Sequence, residues 1–167
     1  METTTDKNTL NFIHSSGALD IRGEHMICDP GHIVGLADHF DSIGATMKDL
    51  HREQIATFEL GGMPVHIFQT TIDGMFPIFN ASGEEIGMAY TDSGLLCIAD
   101  SDLERHESAK NNLKPYVADI DGSLVVDEEG AMFYDPDTEE LIFSIGEDVY
   151  GLGSIFRDLK NLASGNK

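Results

Sequence analysis

Basic residues are scarce in this chain. Ten Lys and Arg stand against 30 Asp and Glu, for a formal net charge of -20 at pH 7. Docking on nucleic-acid phosphates needs Lys and Arg, so direct nucleic-acid binding is excluded as an expectation. An anionic membrane surface would repel the chain as well. Cysteine is nearly absent too. Cys28 and Cys97 each sit in an apolar context and read as buried strand thiols. Nothing in their setting asks for a disulfide, so a reducing compartment is the default. No apolar run approaches the ~20 residues of a membrane span. The N-terminus, METTTDKNTL, lacks the apolar core of a signal peptide. A soluble, cytoplasmic protein is expected.

Catalytic signatures are missing as well. There is no Gly-x-Ser-x-Gly elbow. There is no phosphate-binding Walker loop and no dinucleotide fingerprint. Gly151-Leu152-Gly153 precedes an apolar stripe but has neither a third glycine nor a basic residue beside it. Asp119-Ile120-Asp121-Gly122-Ser123 opens like a calcium loop. Such a loop needs Gly at its sixth position and Glu at its twelfth, where this chain has Leu124 and Gly130. Nothing in the sequence calls for a cofactor, and the balance leans away from an enzyme.

What is present is an ordinary globular composition, 41% apolar and 24% charged over 167 residues. That length suits one domain, able to bury roughly 70% of the surface its unfolded chain exposes. Residues 1–9 read as a disordered N-terminus and 10–163 as a single domain, with a subdomain boundary near 111–115 left open. Period-two apolar patterns predict strands at Leu10–His14, Ala18–Arg22, His25–Cys28, Ile55–Leu60 and Met63–Phe68. Gly61-Gly62 is a hairpin signal between the last two. The stretch His66–Asp100, broken at Asp73-Gly74, Ala81-Ser82-Gly83 and Asp92-Ser93-Gly94, is expected to be the central sheet. A meander follows, with strands at Tyr116–Ile120, Ser123–Asp127, Ala131–Tyr134 and Glu140–Ile145.

Two segments change period. Leu36, Phe40, Ile43, Met47 and Leu50 recur at helical steps, as do Leu152, Ile155, Phe156, Leu159 and Leu162. The expected fold class is therefore α+β: mostly antiparallel sheet, with amphipathic helices at about 36–52 and 152–163. A short helix or helical turn is expected after Asp100, where Ser101 and Glu104 fit a capping box.

Three groups of residues carry candidate chemistry. His25, Cys28, Asp29, His32 and His39 are all metal-ligand types, but their spacing is irregular and only one is a cysteine. The turn aspartates Asp29, Asp73 and Asp92, with His66, could converge at one sheet edge and hold a hard cation. Ordinary turn chemistry also explains Asp beside Gly or Pro. The third group is electrostatic. Between Asp119 and Asp148 there are eleven acids and no Lys or Arg. Of these, Asp119, Asp121, Asp127, Glu128, Glu129, Asp135, Asp137, Glu139 and Glu140 are the candidate contacts to a basic partner. Dense acidity also simply keeps a chain soluble, and halophilic proteins carry it.

Asp29-Pro30, then Thr71-Ile72-Asp73-Gly74, then Asp92-Ser93-Gly94 follow one another over Met26–Ala99. Their order resembles an uncharacterised family of small prokaryotic and phage proteins. Its members have a strand ending in Asp-Pro-Cys-Tyr, a helix, a Gly-Asp-Gly turn and an Asp-x-Gly strand start. Gly31-His32 stands here in place of Cys-Tyr, and Ile72 in place of the first Gly. The resemblance implies an order of elements and a microbial or viral origin, and it carries no activity over.

Two functions are compatible with these residues. The first is a non-enzymatic protein, such as an inhibitor, an immunity protein or a DNA mimic, binding a basic partner through an acidic face. The second is a metal-dependent enzyme or cation-binding module using the turn aspartates and histidines.

Overall fold

The computed structural model describes residues 9–70, 73–105, 115–127 and 130–146. In chain order these form β1 (Leu10–Ser16), β2 (Ala18–Cys28), a 3-10 turn (Pro30–His32), α1 (Val34–Ala37), α2 (Phe40–Lys48), β3 (Ile55–Leu60), β4 (Met63–Gln69), β5 (Gly74–Phe79), β6 (Glu85–Thr91), β7 (Leu95–Asp100), β8 (Tyr116–Asp127), β9 (Gly130–Tyr134) and β10 (Leu141–Gly146). All ten strands belong to one sheet, in the order β1-β3-β4-β7-β2-β8-β9-β10-β5-β6. Every pairing is antiparallel.

This corrects the expected α+β class. Among the described residues only α2 is a helix of seven or more residues, and the rest is essentially antiparallel sheet. The stripe at 36–52 is split between α1 and α2, and α2 stops at Lys48. Steps of three and four residues are met equally well by two short helices flanking a turn. The turn is closed by the His39 N–H donating to the Leu36 carbonyl at 3.0 Å. Leu36, Ile43 and Met47 are buried all the same. The stripe at 152–163 lies outside the described residues.

Three smaller expectations also change. Asp121-Gly122 is no turn, because β8 runs unbroken through it. A Cβ at Gly122 would overlap the Tyr134 carbonyl of β9, so that glycine serves a close strand approach. Ser101 caps no helix. Its hydroxyl donates to Glu24 instead, at 2.7 Å, and residues 101–105 form a turn and an isolated bridge to Ile33. His66–Asp100 is not one contiguous central sheet. β4 pairs with β7, while the β5–β6 hairpin crosses to the far edge beside β10.

Alternation along the strands gives the sheet two apolar sides. One side gathers Ile21, Ile27, Phe68, Phe76, Ile98, Leu124, Phe133 and Phe143 into the main core. The sheet curls so that β6 contacts β2, β7 and β8 across this core. A Cβ at Gly87 would overlap the Tyr116 ring, so the closest approach is made where a side chain is missing. The other side has a small apolar patch of Met132, Val125, Tyr134 and Leu141 and a larger one at β3, β4, β7 and the end of β2. There Met26, Phe58, Val65, Ile67 and Cys97 pack under Leu36, Ile43 and Met47. Each large aliphatic side chain buried in this way contributes about 1.5–3 kcal/mol relative to exposure. The described residues on both sides of 111–115 share this sheet, since Ala18–Ile27 of β2 pair with Tyr116–Val125 of β8.

Candidate functional site

β2 ends at Cys28 because Pro30 cannot donate to a ladder. Asp29 then turns the chain. Its carboxylate is fully buried and accepts four hydrogen bonds. Oδ1 takes the Gly31 N–H at 2.7 Å and the Ser93 hydroxyl at 2.9 Å. Oδ2 takes the Thr91 hydroxyl and the Asp92 N–H, both at 3.0 Å. The β6–β7 turn is thus fastened to the end of β2. Burial works against the Asp29 charge. The bonds from Asp92, Gly31 and Ser93 outweigh it and hold the carboxyl below its ordinary range. Asp92 responds in the opposite sense. Its hydrogen bond to Asp29, with burial and repulsion added, pushes its carboxyl up.

His32 completes the group. Its ring stacks on Tyr90 with centroids 6.3 Å apart. Among the described residues, Asp29, His32 and Asp92 are the one group of three metal-type side chains whose ligand atoms lie within 4.8 Å of one another. A carboxylate offers about four lone-pair sites, and on Asp29 four donors occupy them. A cation would have to displace one of those donors or rely on Asp92 and His32. The geometry is first of all a clamp.

The other expected ligands lie elsewhere. Asp73 is exposed, with its Oδ1 near Gly94 at the edge of the clamp. His66 is buried in β4 and shares a hydrogen bond of 3.1 Å with Thr57. Burial, then the charges of His25 and His14, lower its pKa to about 4. His25 bonds the Gly23 carbonyl through Nδ1 at 3.0 Å. Cys28 and Cys97 face each other across β2 and β7 with sulfurs 4.0 Å apart, both buried as free thiols. Burial, then the neighbouring Cys28, pushes the Cys97 thiol far up. That makes it a poor nucleophile.

The acids of the C-terminal meander fall in two places. Asp119 and Asp121 are exposed on β8, facing away from the main core. Directly opposite them on β2 stand Glu24 and Arg22. Arg22 bonds Asp121 at 2.6 Å, with both side chains about two-thirds exposed. Asp20 accepts the Ser123 hydroxyl at 2.9 Å one step along. Asp135, Asp137, Glu139 and Glu140 form the β9–β10 turn, where the Asp135 carboxylate accepts the Asp137 N–H at 2.9 Å. Glu139 adopts φ 59 there. The register Ser123↔Tyr134 brings that turn alongside Asp121. The side chain of Asp127, and Glu128 and Glu129 entirely, lie outside the described residues.

Sequence reasoning grouped His32 with Asp29 as a metal-ligand type, though not with Asp92, and missed Glu24, Asp20, Thr91 and Ser93 as members of these two groups. Ser93 and Thr91 carried a signal, since both flank the singled-out Asp92. Glu24 carried none, because its place beside Asp119 depends on the pairing of β2 with β8.

No protein-family model matches the chain, and no curated protein or solved structure is significantly similar to it. Among the described residues no helix is long and apolar enough to cross a membrane.

Proposed function

We propose that this chain is a non-enzymatic interaction protein that receives a basic partner on the acidic side of β2 and β8 and the adjoining β9–β10 turn. One observation carries the reading: Glu24 stands directly opposite Asp119, both exposed. Like charges in cross-strand register destabilise a sheet. That pair lies within a surface that also holds Asp20, Asp121, Asp137, Glu139 and Glu140, with Arg22 paired to Asp121 beside it. A cationic partner would relieve that repulsion and release counterions. Association would be fast at low salt and would weaken as salt is added. An inhibitor, an immunity protein or a mimic of nucleic acid would each use such a surface.

The test is amide chemical-shift mapping with a short oligolysine. Shifts should concentrate at Glu24, Asp119, Asp121 and residues 135–140, and should collapse in high salt. Shifts scattered evenly over the acidic chain would sink the reading.

A second reading, cation binding, is favoured by the convergence of Asp29, His32 and Asp92. It is the weaker one, because the Asp29 lone pairs are already taken. Added manganese should then broaden the Asp92 and Ser93 resonances at substoichiometric amounts. Sharp lines at equimolar metal would end it.

A further inference from the structure

The acidic surface does not end at β2. The pairings Val65↔Ala99, His25↔Asp100 and Glu24↔Asp119 place Met63, Ser101, Glu24 and Asp119 in one row across β4, β7, β2 and β8. All four are on the side that α1 and α2 partly cover. The Ser101 hydroxyl bonds Glu24, which ties the row together. At the Met63 end of the row lies an open cleft of about 480 Å³. It is lined by the apolar Ile33, Leu60, Met63 and Leu103 together with Asp102 and Glu104. The Val34 N–H donates to the Glu104 carbonyl at 2.9 Å, and Ile33 bridges Arg105. The segment carrying both carboxylates is therefore pinned to the rest of the fold. The described lining contains no Lys or Arg.

We infer that this cleft is an anchoring pocket for a lysine or arginine side chain of a basic partner. The aliphatic stem would lie on Leu60, Met63 and Leu103, and the cationic head would meet Asp102 and Glu104. Long cationic side chains bury their stems along apolar surface while the head keeps polar company. A cleft lined by both apolar side chains and two carboxylates complements that chemistry. The volume suits one long side chain with its flanking backbone, within the usual range of small-ligand pockets. Strands lie about 4.8 Å apart, so Met63 is about 10 Å from Glu24. A single basic segment could seat one side chain in the cleft and lay its neighbours along Glu24 and Asp119. The inference rests on the acidic side being the docking surface, and it adds the residue type that the surface selects.

The experiment uses the full chain carrying ¹³C-methyl methionine, with the Met63 signal assigned through Met63→Leu. N-acetyl-lysine methylamide is titrated against N-acetyl-norleucine methylamide, which has the same stem without the charge. The lysine probe should shift the Met63 methyl saturably, and less so as salt rises. The norleucine probe should bind about tenfold more weakly, and so should the lysine probe on D102N/E104Q. Both of those carboxylates are exposed, and an unchanged methyl spectrum verifies that the variant is folded. Equal binding of the two probes, or no saturable shift, overturns the pocket. Oligolysine separates the two ideas. If β8 amides respond while Met63 stays silent, the pocket alone falls. If Met63 responds while β8 stays silent, the β8 docking surface falls and the pocket stands.

Discussion

At the scale of single residues, Asp29 fastens two distant turns with one carboxylate. Asn in its place keeps a single carbonyl oxygen and aims an NH₂ at groups that are themselves donors. Asp29→Asn should cost on the order of 3 kcal/mol at neutral pH, read from the urea midpoint. A loss below about 1 kcal/mol would show that the clamp is not needed. The pH dependence has a definite sign. The folded carboxyl lies below its ordinary value of 3.8, so its stabilisation is complete above that value and is lost as pH falls through the lowered one. His66 acts in a higher window. The unfolded chain takes up a proton near 6.5, which the buried ring refuses until about 4. Stability should therefore drop by up to about 3 kcal/mol as pH falls from 6.5 to 4. His66→Gln should flatten that slope in urea melts at the two pH values. A slope unchanged by the substitution would show that another group titrates. Asp29 and Asp92 were legible as turn acids, since Asp beside Pro or Gly is a local signal. Their meeting has no local signal, because the contact depends on where β6 returns.

At the scale of elements, hairpins were read better than helices. Gly61-Gly62, with φ 58 and 88, and the Asn80–Glu84 turn, where the Asn80 carboxamide oxygen accepts from Ser82 and Glu84 N–H groups, announce themselves through residues that few other conformations favour. Helical spacing at 36–52 could not show where the helix would break. Gly44 illustrates what remains open to improvement. It is exposed in α2, and a Cβ there meets nothing within 4 Å. Gly44→Ala should raise stability by about 0.5–1 kcal/mol in thermal or urea melts. A destabilised variant would mean that α2 is not a regular helix at that point. Asp121-Gly122 was misread for a related reason. The pair signals a turn from sequence alone, but the glycine is required by the Tyr134 backbone of the neighbouring strand.

At the scale of the whole molecule, the net charge of -20 sets a background of self-repulsion. Raising sodium chloride from low salt to roughly 0.5 M should raise the melting midpoint by a few degrees, because screening at that strength acts within a few ångströms. A midpoint indifferent to salt would mean that the acids are spaced widely enough not to repel. Strand order was the least legible feature. Alternation tells which face a residue takes, while neighbours are chosen by contacts far apart in sequence. β2 shows what this entails. Its flanking partners come much later: Cys97 lies 69 residues after Cys28, and Asp121 lies 99 after Arg22. Loops of that size must close before any contact rewards them, which makes such topologies slow folders. Synthesis adds about 5–20 residues per second. During translation, then, the strand destined for the middle of the sheet would wait roughly several seconds with both edges open, and the nascent chain is at its most aggregation-prone in that interval.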